Sequence, residues 1–299
     1  MPITDLAGKK CFVTGAASGI GRAVVLAAAG EGAELYLTDL QAEALEALVV
    51  EVRAAGGTVA EHRALDVSDY AQVRAWADEL GARAGSMDVV MNIAGIATWG
   101  EIQNLEHRHW RRVVDVNLMG PIHVLECLGP AMIAAGRGGH IVNVSSAAGL
   151  FPLPWHAAYS ASKFGLRGLS EVLRQDLRRH GIGVSLVCPG AVNTGLVRTV
   201  DVVGLDMTHP AAVAFKERFV RHAIAPEKAA RAILAGIREN RFMVFTSLDI
   251  RIGYWLQRKL AWPVDVAMRV LNDQFHRLAL VAGTAPATTD RSSRGSERT

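Results

Sequence analysis

The chain has 299 residues, half of them hydrophobic and a fifth charged, with a formal net charge of +3. This length and composition suit one large α/β domain with a sizeable core. This net charge is too small to indicate a nucleic-acid partner, and no basic stripe lies outside the C-terminal region. The N-terminal residues lack a signal-peptide pattern, and no uncharged apolar run approaches the ~20 residues that a membrane span needs.

The cysteines and one pair of histidines predict neither a disulfide framework nor a metal site. Cys11, Cys127 and Cys188 are far apart in the sequence and form no CxxC pair. They indicate reduced, buried thiols in a cytoplasmic protein. His107 and His109 are two residues apart, so their side chains diverge on a helix and are not interpreted as metal ligands.

The first element is a short buried strand at 10–14, which a glycine-rich turn at 15–21 connects to an Ala-rich helix at 22–29. A strand, a glycine turn and a helix start form the phosphate cradle of dinucleotide-binding folds. Glycines let the backbone approach a pyrophosphate, and the helix N-terminus favours its negative charge. The spacing is G-x-x-x-G-x-G rather than the general G-x-G-x-x-G, so an ordinary glycine-rich turn is the alternative.

A second strand at 34–38 ends at Asp39, about 20 residues after the glycine turn, where a carboxylate binds the adenosine ribose. A carboxylate there would repel a 2′-phosphate, so the sequence predicts NAD rather than NADP. Ser18, and not a basic residue, precedes Gly19, which agrees with this preference. Asp39 could also cap a helix over 41–55, and the two roles are compatible.

The next two strands bring polar residues to the same edge of the predicted sheet. The strand at 59–65 ends in Asp66, and Ser68 is expected to cap the helix that follows. The strand at 88–91 leads directly into Asn92. Open parallel sheets bind ligands at the carboxyl ends of their strands, so this edge is the expected site.

A long helical segment at about 105–129 carries Asn117 in its middle. The strand at 140–144 then delivers Ser145 and Ser146 at its C-terminal end. Either serine could face a ligand at that edge. The loop that follows is apolar and stiffened by prolines, and exposure to water alone would be unusual for its large side chains. These are Leu150, Phe151, Leu153 and Trp155.

Tyr159 and Lys163 are four residues apart, so they lie on one face of a helix. A free phenol titrates near pH ~10, and a fixed ammonium beside it would lower that pKa towards the working range. The pair is therefore a candidate proton donor and acceptor. His156 could contact a substrate or have no chemical role. A hydrolase is not favoured, because no G-x-S-x-G elbow is present.

Strands and helices alternate over about 245 residues, which predicts a doubly wound parallel sheet of seven strands with helices on both faces. The remaining strands lie at 183–187, before Pro189 and Gly190, and at 242–245. The irregular apolar segment at 195–221 is interpreted as a mobile lid over the pocket.

The C-terminal part has a different composition. We expect a catalytic domain at 1–248, a helical extension at 249–282 and a disordered Ser-, Thr- and Arg-rich tail at 283–299. Trp255, Trp262 and several basic residues in the extension are compatible with an amphipathic helix on a membrane surface, over about 249–280, although the sequence favours the alternative. The alternative is packing against a neighbouring subunit or over the substrate pocket.

Taken together, these motifs resemble the short-chain dehydrogenase/reductase family over about residues 5–248, and Ile93, where members commonly carry asparagine, is one departure. The resemblance implies a Rossmann-like fold. It rests on Thr14-Gly15-x-x-x-Gly19-Ile-Gly21, Asn92-x-Ala-Gly95, Asn117, Ser146, Tyr159-x-x-x-Lys163 and Pro189-Gly190.

The resemblance also implies the site. Tyr159 would be the general acid/base, Lys163 would lower its pKa and hold the nicotinamide ribose, and Ser146 would bind the substrate oxygen. Asn117 would hold a water that relays protons from Lys163. The implied cofactor-binding residues are Gly15, Ser18, Gly19, Ile20, Gly21, Asp39, Asp66, Val67, Asn92, Gly95, Tyr159, Lys163, Pro189, Gly190, Val192 and Thr194.

By the same resemblance the chain would interconvert a secondary alcohol and a ketone with NAD. The apolar loops suggest a hydrophobic substrate of steroid, retinoid or lipid type. A non-catalytic dinucleotide-binding scaffold is the alternative, although such proteins typically lose the tyrosine or the lysine. The resemblance implies a homodimer or homotetramer. We expect the protein in the cytoplasm, with peripheral contact to a membrane if the extension binds lipid.

Overall fold

The structure, a computed structural model, describes residues 3–198, 200–221 and 223–283. Their strands and helices are, in chain order, β1 (Lys10–Thr14), α1 (Gly19–Gly30), β2 (Glu34–Asp39), α2 (Ala42–Ala54), β3 (Thr58–Ala64), α3 (Tyr70–Arg83), β4 (Val89–Asn92), β5 (Thr98–Gly100), α4 (His107–Val114), α5 (Gly120–Ala135), β6 (Gly139–Val144), α6 (Ala157–Asp176), β7 (Ile182–Cys188), α7 (Gly195–Arg198), β8 (Asp201–Val203), α8 (Pro210–Arg221), α9 (Pro226–Arg238), β9 (Met243–Phe245), α10 (Leu248–Lys259) and α11 (Ala261–Ala282).

The main sheet of the described residues has seven strands in the order β3-β2-β1-β4-β6-β7-β9, and each strand is parallel to its neighbours. The predicted doubly wound sheet is therefore confirmed. Thr14 at the end of β1 pairs with Thr38 on one side and Asn92 on the other. The strand order reverses here, so the carboxyl ends of β1 and β4 open a crevice for a ligand.

Apolar side chains cover both faces of this sheet. Val13 packs into the core beneath α1 and α9, while its neighbour Phe12 packs on the other face with Trp76 of α3. Successive strand residues point to opposite faces, so a strand with helices on both sides must be apolar throughout. All six residues of β6 are buried, as such a central strand requires.

The predicted helix at 105–129 is longer and interrupted. A π-helical turn, Asp115–Met119, separates α4 from α5, and Asn117 lies within it. The helix ends at Ala135, and Gly136, which follows it, adopts φ 64°. Among the described residues, 107–135 is the one helical stretch whose length and composition could cross a membrane. Here it packs against α3 and α6 as part of the fold.

Two local expectations differ from the structure. Asp69, and not Ser68, caps α3, because its carboxylate accepts from Gln72 N. The lid segment is also more regular than its sequence suggests. It contains α7, β8 and α8, and β8 pairs in parallel with β5 in a separate two-stranded sheet. Three-residue strands are too short to produce a periodic pattern.

The C-terminal helix α11 packs over the lid segment. Phe275 of α11 is buried, and its ring lies 5.3 Å from the ring of Trp155 and 5.0 Å from that of Phe215. Leu205 forms a β-bridge with Gly283. Within the chain, the inner face of α11 thus packs on the lid segment, and the predicted roles of the extension stay predictions. The predicted tail, apart from Gly283, lies outside the described residues.

Candidate active site

A cavity of about 680 Å³ lies at the carboxyl ends of the strands, within the size range of small-molecule sites. It brings together nearly all the residues that the motifs select, although they come from distant parts of the chain. Those that line it are Gly15, Ser18, Gly19, Ile20, Gly21, Asp39, Asp66, Val67, Gly95, Ser146, Tyr159, Lys163, Pro189, Gly190, Val192 and Thr194.

The glycine turn is packed too closely for side chains. Gly15 has φ +65°, and a Cβ there would lie 2.7 Å from Ala94 Cα. A Cβ on Gly21 would overlap the carbonyl oxygen of Gly15. Helix α1 begins directly after Ser18 and has no acidic residue in its first turn. Its N-terminal N–H groups therefore suit an anion, and the cradle fits a pyrophosphate.

Asp39 lies at the end of β2, and only 8% of its surface is exposed. Its Oδ2 accepts a hydrogen bond from Ala17 N at 2.9 Å, and its Oδ1 accepts from Gln41 N at 3.0 Å. The carboxylate thus ties the glycine turn to the start of α2 while it lines the cavity. Asp66 closes a similar turn, since its Oδ1 accepts from Ser68 N at 2.8 Å.

Asn92 lies behind the cavity and not among the residues that line it. Its Nδ2 donates to Asn143 Oδ1 at 2.9 Å, and Asn143 Nδ2 donates to Ser170 Oγ of α6 at 2.9 Å. The contact of Asn92 with a cofactor stays a prediction. The Asn92 amide connects β4 through β6 to the helix that carries Tyr159, and the following Ile93 and Ala94 line the cavity.

Tyr159 and Lys163 lie one turn apart at the start of α6, and both are buried. Lys163 Nζ donates to Val144 O at 2.9 Å and lies 5.7 Å from the centre of the Tyr159 ring. Burial lowers the pKa of Lys163 to about 8. A lysine with such a pKa can both hold and release a proton near neutral pH.

The two serines at the end of β6 have different partners. Ser145 Oγ donates to Lys163 O at 3.0 Å and so holds β6 against α6. Ser146 Oγ accepts from Ala148 N at 3.1 Å, and its side chain is hydrogen-bonded to Tyr159. Ser146 is thus the serine whose hydroxyl lies beside the phenol.

Burial raises the pKa of Tyr159 in the chain alone, and the hydrogen bond with Ser146 opposes that shift. The direction is opposite to the one that the Tyr–Lys spacing predicts. The Lys163 ammonium lies over the Tyr159 ring and donates a hydrogen bond to Val144 O. Desolvation of the phenolate therefore dominates when no positive charge stands beside the hydroxyl.

Asn117 is fully buried in the π turn and does not line the cavity. Its Oδ1 accepts from Ile96 N and its Nδ2 donates to Ile96 O, both at 2.9 Å. A Cβ on Gly95 would lie 3.1 Å from Asn117 Oδ1 and 3.5 Å from Lys163 Nζ. Asn117 therefore fixes the backbone beside Lys163 from behind Gly95.

Sequence reasoning missed three arginines that line the cavity from α4: Arg108, Arg111 and Arg112. Two of them have acidic partners, since Arg108 pairs with Glu106 at 3.0 Å and Arg111 with Asp115 at 3.4 Å. Their i, i+3, i+4 spacing marks one helix face. That spacing is the signal that could have revealed them.

An apolar wall stands next to Tyr159. Ala97, Val113 and Ala148 pack with its ring, and Trp99 and Val200 border them. His156 belongs to this wall, and its ring lies 4.4 Å from that of Trp99. Burial lowers the pKa of His156 to about 4, so it is neutral at pH 7. Its Nδ1 lies 2.6 Å from Pro154 O, which only accepts, so Nδ1 carries the proton.

The glycine cradle at the switch point of a parallel sheet, with a Ser–Tyr–Lys group in the same cavity, defines a dinucleotide-binding oxidoreductase site. The family model described as short chain dehydrogenase matches residues 9–202. The chain belongs to the short-chain dehydrogenase/reductase family.

Relatives support this assignment over nearly the whole chain. SadH of Mycobacterium tuberculosis, whose name calls it an oxidoreductase, is 34% identical over 95% of this chain and 98% of its own. D-threitol dehydrogenase of Mycolicibacterium smegmatis is 41% identical over 64% of this chain and 73% of its own. A Burkholderia phymatum short-chain dehydrogenase/reductase in complex with NAD aligns with a TM-score of 0.77 and 33% identity, over 85% of this chain and 94% of its own.

Proposed function

We propose that the protein is an NAD-dependent dehydrogenase/reductase that interconverts a secondary alcohol and a ketone, with Tyr159 as general acid/base. One observation carries the proposal: Ser146, Tyr159 and Lys163 line the same cavity as the glycine cradle. The alternative of a non-catalytic scaffold has no such support, because the tyrosine and the lysine are both in place.

Bound NAD would supply the hydride acceptor at its nicotinamide ring. The chain's own groups would orient the substrate and move the proton. In oxidation Tyr159 would take the hydroxyl proton while Ser146 holds the same oxygen. Lys163, with its pKa of about 8, would hold the nicotinamide ribose and pass the proton on. Asn117 would keep the relay water in place, and in reduction these steps reverse.

Asp39 supports NAD over NADP. Its carboxylate is fixed by two backbone N–H groups and lines the cavity, so it can accept from ribose hydroxyls and repels a 2′-phosphate. A structure with NADP is known for another short-chain oxidoreductase of 33% identity and TM-score 0.65. The proposed preference for NAD over NADP therefore rests on Asp39 and not on membership of the family.

The substrate is proposed to be hydrophobic, because the wall beside Tyr159 is built from Trp99, Val113, Ala148 and Val200. We further propose that the protein works in the cytoplasm as a homodimer or homotetramer. The outward faces of α10 and α11 would give it peripheral contact with a membrane.

The test is the Tyr159→Phe variant, which keeps the ring and removes the hydroxyl. We expect turnover with a panel of secondary alcohols to fall at least 1,000-fold, at the strong end of general acid–base effects, while NAD binding is unchanged. Tyr70→Phe, at an exposed tyrosine on α3, is the matched control. Retained turnover in Tyr159→Phe would refute the mechanism.

A further inference from the structure

An apolar slot lies between the lid segment and the C-terminal helix. Val200, Leu205 and Phe215 line it from the lid side, and Phe275 and Leu278 line it from α11. Its free volume of about 20 Å³ is room for about one water molecule. The slot is therefore almost closed. The lid segment above it is not part of the main sheet, since its strand β8 pairs with β5 in a separate two-stranded sheet.

The slot is continuous with the wall beside Tyr159. Trp99 and Val200 pack with the cluster that contains Tyr159, and the same two side chains pack with the cluster that contains Phe275. A continuous set of packed apolar side chains thus connects Tyr159 with α11. All the residues that line the slot except Lys216 are apolar, so a hydrocarbon chain there would meet mainly apolar side chains.

Two features of the adjoining Trp155 are not explained by packing alone. Its backbone has φ 64°, a conformation that is rare and strained for a bulky residue. Its indole Nε1 is buried without a hydrogen-bond partner among the described residues. Strain and unpaired polar atoms concentrate where a protein is built for function. The stacked ring of Phe275 holds Trp155 in this state.

We propose that this slot binds the apolar tail of the substrate whose oxygen Tyr159 and Ser146 hold, and that α11 is its far wall. The proposal rests on the proposed function and specifies its substrate: an uncharged secondary alcohol or ketone with an extended hydrocarbon or ring tail. Its entry requires the lid and α11 to separate, since the closed slot has no room for a tail. The contacts that must open include the hydrogen bond from Asp206 N to Ala282 O at 2.8 Å and the bridge between Leu205 and Gly283.

The test measures binding of methyl ketones, from 2-butanone to 2-decanone, to the full chain with NADH, through the change in tryptophan fluorescence. Each methylene that enters an apolar site should tighten binding about fourfold. Leu278→Phe should fill the slot from α11, leaving the shortest ketone unchanged and removing most of the gain for the longest. Phe275→Ala should widen the slot and shift the gain towards longer or branched ketones.

Val270→Phe is the matched control, because Val270 lies on the exposed face of α11, and it should behave as the unmodified chain. Affinity that is independent of chain length, or equal effects of the Leu278 and Val270 variants, would overturn the slot while ketone binding and turnover persist. NADH binding with neither ketone binding nor turnover would overturn the proposed function as well. NADH binding also verifies that each variant is folded.

Discussion

At the scale of single residues, the sequence motifs identified the residues that line the cavity, but they did not predict the pKa of each titratable side chain. The spacing of Tyr159 and Lys163 identified the pair, yet burial shifts the pKa of the tyrosine in the opposite direction from the one predicted. Sequence shows which charge is near, but not how far a group is from water. The resemblance already favoured Ser146 over Ser145, and the structure adds that Ser145 Oγ donates to Lys163 O.

Asp39 gives a prediction about cofactor choice. Asp39→Ser removes the charge that repels a 2′-phosphate, so the ratio of NADP to NAD affinity should rise at least tenfold, which corresponds to about 1.4 kcal/mol. Fluorescence titration with the reduced cofactors measures both constants. Glu43→Gln, at the next carboxylate on the start of α2, should leave the ratio unchanged. Tighter binding of NADP than NAD by the unmodified chain would overturn the role of Asp39.

Buried histidines give a prediction about acid stability. Burial lowers the pKa of both His140 and His156 from 6.5 to about 4. Between these values the unfolded chain binds protons that the folded chain does not, so stability falls as the pH falls. From pH 7 to pH 5 each should reduce the free energy of unfolding by about 2 kcal/mol.

Urea denaturation at the two pH values measures this loss. His156→Gln should retain only the part due to the remaining groups, so its own loss should be about 2 kcal/mol smaller. The exposed His276→Gln is the matched control and should follow the unmodified chain. An equal loss in all three proteins would show that His156 is not buried in its neutral form.

At the scale of elements, long periodic segments were predictable and short ones were not. Seven strands of the main sheet follow from apolar runs between turns, and the glycine turn follows from its spacing. The π turn within 107–135 and the pairing of β5 with β8 leave no periodic signal. They depend on contacts between distant segments, such as Asn117 with Ile96.

The π turn gives a prediction about Asn117. Asn117→Ala would leave the N–H and C=O of Ile96 without their side-chain partner in a buried site. Loss of these bonds should lower the free energy of unfolding by about 2–3 kcal/mol, measured by urea denaturation. Turnover should fall more than NAD affinity, since Lys163 lies beside this backbone.

Asn272→Ala, on an exposed position of α11, is the control for both measurements. Unchanged stability in Asn117→Ala would show that the π turn does not depend on this amide. Unchanged turnover would remove Asn117 from the proposed proton relay.

At the scale of the whole molecule, exposed apolar side chains are concentrated in the last two helices. More than half of the large ones in the described ranges lie between Leu248 and Val281, including Trp255 at 59% and Trp262 at 68% exposure. Arg258 and Lys259 lie exposed between these tryptophans. Tryptophans beside cations suit the surface of an anionic bilayer.

We therefore expect the full chain to float with vesicles of phosphatidylcholine and phosphatidylglycerol. Replacing Trp255 and Trp262 together by serine should reduce the bound fraction at least fivefold. Val50→Ser, at an equally exposed apolar residue on α2, should not. No flotation, with loss of an oligomer in the double variant by light scattering, would assign this face to a second copy instead.

The bridge between Leu205 and Gly283 also orders events during synthesis. The strands that bear the glycine turn and Asp39 emerge early from the ribosome, and neighbouring parts of a chain can fold as they appear. The lid segment lacks its partner until almost eighty further residues have been translated. A nascent chain thus forms its glycine cradle before the lid segment has its partner on α11.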